Sequence, residues 1–307
     1  MQALTKRLDE QLRKHPSAQL YLQRAQVLHR QGKTGDAISD ATQCLKTSPR
    51  NVSAYLLRGD LNFAIGESES AQKDYQQAIS IRPSFHAYYQ LGQCAMRQND
   101  PSSAIKMLSE AINLDPKNVA ACMLRGNAHV SRRDFARAAE DFSRAIAMSP
   151  NLREAYFLRG DAKRRMRNWR AAIPDYTRAI EIDARKEEQK HDIGSSAEQW
   201  TSTAMAFQGR AICYAGMQQY ELAAKDYTKA IELDKDSGLA YKGRGWIRFW
   251  QNDYPRAESD LERSLSLEPS PDGCYRLAIV KMCQGKYKQA MRNANGAVTL
   301  DPSCVIA

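Results

Sequence analysis

Short apolar runs centred on alanine, such as Ala-Ile-Asn-Leu-Asp-Pro at 111–116, end repeatedly on a proline. Pro49, Pro83, Pro116 and Pro150 are separated by 34, 33 and 34 residues, and Pro269 and Pro302 by 33. A Gly or Ala stands 24 residues before each: Ala25, Gly59, Gly92, Gly126, Gly245 and Ala278. A small residue follows 12 positions later: Ala37, Ala71, Ala104, Ala138, Ala257 and Ala290. Two further repeats fit with the proline replaced, one carrying Gly160, Ala172, Tyr176, Ala179 and Ala184, the other Ala211, Ala223, Tyr227, Ala230 and Lys235. With the proline numbered place 32, the small residues fall at places 8 and 20. Places 20, 24 and 27 then share one helical face, at i, i+4 and i+7.

This pattern predicts a helix pair, A and B, in every repeat. Small residues at places 8 and 20 let A and B approach closely. The proline stops helix B because it cannot continue the ladder and biases its predecessor towards extended geometry. Pro101 and Pro255 sit at the start of their B helices, where a missing N–H costs little. One pair cannot bury its apolar face alone, so the pairs must stack. Leu4, Leu8 and Leu12 match places 20, 24 and 28 with Pro16 at 32, which predicts a lone B-type capping helix over 1–16. Repeats one to five then span 18–186, a charged insertion containing Gly194-Ser195-Ser196 occupies 187–203, and repeats six to eight fill 204–303. The charged part of the insertion is expected to prolong the fifth B helix, with the Gly-Ser part a loop before a lengthened A helix.

A correlation between places supports the register. Arg stands at place 7 in six repeats: Arg24, Arg58, Arg125, Arg159, Arg210 and Arg244. Asp stands at place 23 in the same six: Asp40, Asp74, Asp141, Asp175, Asp226 and Asp260. The two repeats with Leu91 and Leu277 instead carry Met107 and Asn293. The expectation is a structural salt bridge joining A to B within each of the six.

Gly or Ala at place 8, Ala at 20, an aromatic or aliphatic at 24, Ala at 27 and Pro at 32 resemble the tetratricopeptide repeat, and the resemblance covers nearly the whole chain. It implies an all-α, right-handed α-solenoid (superhelix) of helix–turn–helix repeats, and a concave groove lined by helix A at places 2, 5, 6, 9, 12 and 13. On that basis the partner-binding groove is expected to draw on Leu56, Phe63, Tyr89, Met96, Met123, Phe157, Arg164, Arg165, Trp246, Phe249 and Trp250. Such a column suits an extended peptide or an amphipathic helix, although place 5 is also apolar where it only supports stacking. Trp246, Phe249 and Trp250 are the residue types enriched in interface hot spots. Members that grip a C-terminal carboxylate carry Lys and Asn at places 5 and 9 of one repeat. Here Asn127 is accompanied by Met123, and Lys242 by Trp246, so a carboxylate clamp is disfavoured.

Charge adds a preference for partners. A formal net charge of +10 favours acidic ones, and Arg164 and Arg165 would be the groove cations to meet them. No apolar run reaches the roughly 18–20 residues of a spanning helix, and the first residues lack a signal-peptide core. Seven cysteines without paired short spacing fit a reducing, cytoplasmic setting. The five histidines lack metal-ligand spacing, and no phosphate-cradling loop or nucleophile elbow is present. No cofactor is expected. The final Cys304-Val305-Ile306-Ala307 fits the prenylation pattern, making Cys304 a lipidation candidate; a further repeat cut short would end identically. The expected function is a non-enzymatic protein-binding scaffold or adaptor. The alternative is a chaperone-like or prenylated carrier at a membrane, and RNA binding ranks lower because it rests on net charge. DNA is not an expected partner.

Overall fold

The computed structural model describes residues 2–189 and 197–301, with side chains described except at 185–189 and 197–202. Cys304 and the rest of 304–307, and residues 190–196 of the insertion, lie outside the described residues. Those described form helices and no strand, and the chain divides into two compact units, Met1–Met148 and Ser149–Ala307. Each unit is a stack of antiparallel helix pairs in chain order.

In the N-terminal unit, α1 (Gln2–Lys14) precedes four pairs. These are α2 (Ala18–Arg30) with α3 (Thr34–Thr47), α4 (Val52–Ala64) with α5 (Ser68–Ile81), α6 (Phe85–Arg97) with α7 (Pro101–Leu114), and α8 (Val119–Ser131) with α9 (Phe135–Met148). In the C-terminal unit the pairs are α10 (Arg153–Arg165) with α11 (Trp169–Gln189), α12 (Ala197–Gly216) with α13 (Tyr220–Leu233), α14 (Gly238–Trp250) with α15 (Tyr254–Leu267), and α16 (Pro271–Cys283) with α17 (Tyr287–Leu300). In the fifth and sixth repeats α11 has 21 residues and α12 has 20, against 13 or 14 elsewhere. Buried Asp183 of α11 ties the lengthened helices down, accepting from Arg153 Nε at 2.8 Å and Thr203 Oγ1 at 2.7 Å.

Local chemistry sets the ends of each pair. Six A helices start on a Ser or Asn cap: the side-chain oxygens of Ser17, Asn51, Ser84, Asn118, Ser237 and Ser270 each accept from the backbone N–H three residues on. The A–B turn passes through the left-handed region at place 15 in all eight repeats. Glycine serves there at 32, 66 and 285, whereas Asn99, Arg133, Arg167, Gln218 and Asn252 adopt φ of 56–61°.

The core is built from the small-to-large match across each pair. A Cβ on Gly59 would stand 2.7 Å from Tyr75 Cε1, on Gly92 2.6 Å from Leu108 Cγ, and on Gly126 2.6 Å from Phe142 Cε1. Place 8 therefore accepts the side chain of place 24. In the C-terminal unit the rings of Tyr176 and Tyr227 also lie against glycines of the following repeats, Gly209 and Gly243. Alanines at place 20 are fully buried throughout, so successive helices meet close to backbone contact.

Candidate functional site

The six Arg and Asp residues meet as two-pronged pairs within their repeats. In the N-terminal unit the Nε–Oδ2 and Nη2–Oδ1 distances are 2.6 and 2.6 Å for Arg24–Asp40, 2.9 and 2.6 Å for Arg58–Asp74, and 2.8 and 2.6 Å for Arg125–Asp141. In the C-terminal unit they are 3.0 and 2.5 Å for Arg159–Asp175, 2.7 and 2.8 Å for Arg210–Asp226, and 2.9 and 2.8 Å for Arg244–Asp260. All six carboxylates are buried. Hydrogen bonds to Asp74 and Asp141 hold the guanidiniums of Arg58 and Arg125 above their ordinary pKa, against the opposing effect of burial. Removing one partner of such a pair leaves a buried charge alone and costs about 3–5 kcal/mol.

The clasp extends beyond its two residues, and the sequence reading missed this. The remaining Nη1 reaches back to helix B of the preceding repeat. Arg58 donates to Thr42 Oγ1 at 3.1 Å, Arg125 to Ser109 Oγ at 3.0 Å, Arg210 to Thr177 Oγ1 at 2.9 Å and Arg244 to Thr228 Oγ1 at 3.2 Å. Arg24 makes the same reach to Asp9 of α1 at 2.6 Å. All these acceptors stand at place 25, two residues beyond place 23. An aromatic ring at place 4 lies by the guanidinium in five repeats: Tyr21, Tyr55, Tyr156, Phe207 and Tyr241, 5.4–6.0 Å from centroid to carbon. At place 11, Lys163 and Arg248 add a second cation 2.7 Å from Asp175 and Asp260. A Ser or Thr two residues past place 23, recurring as Thr42, Ser109, Ser143, Thr177 and Thr228, was the available signal.

The helix-A face of the C-terminal unit carries two adjoining cavities. One of about 190 Å³ is lined by Tyr227, Lys242, Trp246 and Arg276, among others. The second, about 120 Å³, is lined by Phe157, Asp161, Arg164, Tyr176 and Met205, among others. They share Gln208, Ile212 and Leu239, and the Leu239 side chain is half exposed between them. Most of these residues occupy places 2, 5, 6, 9 and 12 of their A helices.

Phe157, Arg164 and Trp246 thus reach the cavities directly, and Phe249 and Trp250 extend the apolar wall. Trp246 and Phe249 stack at 4.7 Å, and Trp250, 52% exposed, meets both edge-on at 5.8 and 5.4 Å. Arg276 lies over the Trp246 ring at 4.5 Å. The cations along this face already have carboxylates. Asp161 accepts from Arg164, and from Arg165 at 2.7 Å; Asp272 accepts from Arg276 at 2.8 Å and pairs with Lys242 at 3.2 Å. Although burial opposes it, these partners hold Asp161 and Asp272 below the usual carboxylate pKa. Leu239, Ile212 and Arg276 join the face without having been singled out in sequence; places 2, 9 and 6 were the pointer.

In the N-terminal unit, Leu56, Phe63, Tyr89, Met96 and Met123 are all half-buried. Leu56 and Phe63 pack on the cluster around Tyr75, and Tyr89 and Met96 on that around Leu108, so these four support stacking as well as offering surface. Arg97 covers Phe63 at 3.8 Å. Beside them Asp60 gathers Tyr75 Oη at 2.8 Å, His86 Nε2 at 2.9 Å and Gln90 Nε2 at 3.1 Å.

Four of the cysteines, Cys44, Cys94, Cys122 and Cys213, are buried free thiols, and burial raises each pKa. Among the described residues no group of three or more His, Cys, Asp or Glu is placed to hold a metal, and no helix is long and apolar enough to cross a membrane.

Tetratricopeptide repeat models match residues 22–84, 56–119, 89–153 and 210–273, and a second such model matches 154–186. The chain belongs to the tetratricopeptide repeat family. It is 26% identical over 252 residues to human tetratricopeptide repeat protein 6, covering 78% of this chain and 37% of that one. The chain spans well under half the length of the curated relatives it matches. Among solved structures it is similar to the C-terminal part of a repeat protein from Cytophaga hutchinsonii (TM-score 0.64, 17% identity, 81% of this chain and 95% of that one). It also resembles a chain in the APC/C hetero-tetramer Cut9–Hcn1 (TM-score 0.54, 14% identity, 91% of this chain and 52% of that one).

Proposed function

We propose that the chain is a non-enzymatic protein-binding scaffold that holds an apolar peptide or amphipathic helix of a partner against the helix-A face of its C-terminal unit. The observation that carries this reading is the run of two cavities sharing Gln208, Ile212 and Leu239, flanked by the exposed Trp250. Leucine-sized and aromatic anchors spaced along one side of a helix match successive hollows of this kind. The pairing of Arg164, Arg165, Lys242 and Arg276 with Asp161 and Asp272 favours apolar contact as the main attraction. An acidic group on the partner would have to compete with carboxylates already in place.

The test is native capture at physiological salt, comparing the wild type with Leu239→Asp/Trp250→Ala, followed by mass spectrometry. Both residues are at least half exposed, so the fold is expected to persist. Proteins held by the wild type and lost by the variant support the reading. Equal retention by both removes this face as the site, and loss of all capture on raising salt points instead to charge-driven binding.

A further inference from the structure

We propose that the third repeat carries a separate binding site, a slot between α5 and α7 floored by α6, that takes a small uncharged ring compound. Equivalent slots elsewhere in the N-terminal unit are filled differently. The slot by α1 and α3 is a cavity of about 300 Å³ containing Arg24, Asp40 and Asp9. That by α7 and α9 is about 250 Å³ and contains Arg125, Asp141 and His129. Both are occupied by the clasp and its neighbours, and their linings are charged.

Between α5 and α7 every clasp position has changed together. Place 7 is Leu91, place 11 Ala95 and place 23 Met107, while place 25 of the preceding repeat is Gln76, where five other junctions have Thr42, Ser109, Ser143, Thr177 or Thr228. Tyr88 at place 4 corresponds to the ring that lies beside a guanidinium in five other repeats. Leu91, Ala95, Met107, Gln76 and Tyr88 line one cavity of about 490 Å³, larger than either charged slot. The floor is apolar and its charges are confined to Lys106 and Glu110, of opposite sign, at the exposed rim.

The chemistry of the lining selects the ligand. A charged molecule entering the slot would shed water and find no counter-ion on the floor, which is strongly unfavourable. An uncharged apolar one gains from burial, with the Tyr88 ring to stack on and the Gln76 amide and Ser103 hydroxyl at the rim to meet a single polar group. The volume falls in the range of about 300–1,000 Å³ typical of small-molecule sites. An apolar cavity of roughly 150 Å³ holds one benzene, so this slot has room for about three rings, more than one side chain of a partner would fill.

The probe is N-phenyl-1-naphthylamine, a neutral three-ring fluorophore, titrated against the full chain. The expected result is a saturable rise in fluorescence with one site per chain. Leu91→Arg/Met107→Asp installs the residues of the clasped repeats and fills the slot. It is expected to weaken binding at least tenfold while the circular dichroism spectrum is retained. Should that variant misfold, Ser103→Trp, at an exposed position on the rim, obstructs the entrance instead. Trp246→Ala in the C-terminal unit is expected to leave the titration unchanged. Absence of saturable binding or undiminished binding to the slot variants overturns the proposal without bearing on the partner-binding face, whereas loss in Trp246→Ala alone overturns it by placing the probe on that face.

Discussion

The third and fourth repeats lie side by side in the N-terminal unit, share the same small-to-large core, and are joined to their predecessors by different chemistry. Arg125 of the fourth clasps Asp141 and reaches back to Ser109 of α7. The third has Leu91 and Met107 at those places, and a cavity. It is tied to the second repeat from another face, where His86 and Gln90 both meet Asp60. Packing of small residues is thus common to the repeats, whereas the polar stitch between them is optional. Where it is dropped, its space becomes available for other use.

The largest effect should come from breaking the clasp on one side only. Asp141→Ala strands Arg125 beside a buried position and should lower stability by about 3–5 kcal/mol, read from the denaturant midpoint. The double change Arg125→Leu/Asp141→Met converts the fourth repeat to the type of the third. It should cost clearly less than the single change, since a buried ion pair exchanged for apolar residues is often near neutral. A double variant as damaging as the single one would break the comparison. It would mean that the third repeat depends on something besides its apolar trio.

The core shared by both repeats predicts equal sensitivity. Gly92→Ala and Gly126→Ala each press a methyl group on a buried side chain, Leu108 or Phe142, at 2.6 Å. Each should cost about 1–3 kcal/mol by overpacking, and the two values should agree more closely than those of any clasp variants. At the A–B turns the expected gain is smaller. Arg133→Gly relieves a left-handed residue at φ 59° and should add up to about 1 kcal/mol. Asn99→Gly should add less, because Asn tolerates that region better.

The last contrast is pH. The His86 pKa is raised by its hydrogen bond to Asp60, against the effect of burial. The charged form is therefore favoured in the folded chain. Its contribution is fully present below the ordinary value of 6.5 and is lost as pH rises through the higher folded value. Asp60 is held low, chiefly against burial, by His86 and its other donors; its part persists until pH falls through that lowered value. Amide exchange in α6 should accordingly quicken from pH 6 to 8 after correction for intrinsic rates, and His86→Gln should abolish the change. Exchange in α8 should not quicken over this range, because Arg125 stays charged and burial holds the His129 pKa below its ordinary value of 6.5, so that its effect on stability runs the other way as pH rises. The same profile in both helices would remove His86 as the cause.

Sequence determined the periodic elements of this protein. Spacing fixes which residues share a helical face, and spacing is local, so the repeat register, the small residues at places 8 and 20 and the joint presence of Arg and Asp were all legible along the chain. The left-handed place 15 was not, because five of its eight residues are not glycine and the turn is imposed by the packed helices on either side. The reach of Arg58, Arg125, Arg210 and Arg244 to the previous repeat also escaped, since it joins residues 16 or 33 positions apart that only stacking brings together. Tertiary structure likewise decided that Arg164 and Arg165 share Asp161, that Leu239 bridges two hollows, and that Leu91, Ala95 and Met107 surround open space. Cavities and ion pairings depend on which side chains face one another once helices are stacked, and one-dimensional spacing does not carry that information.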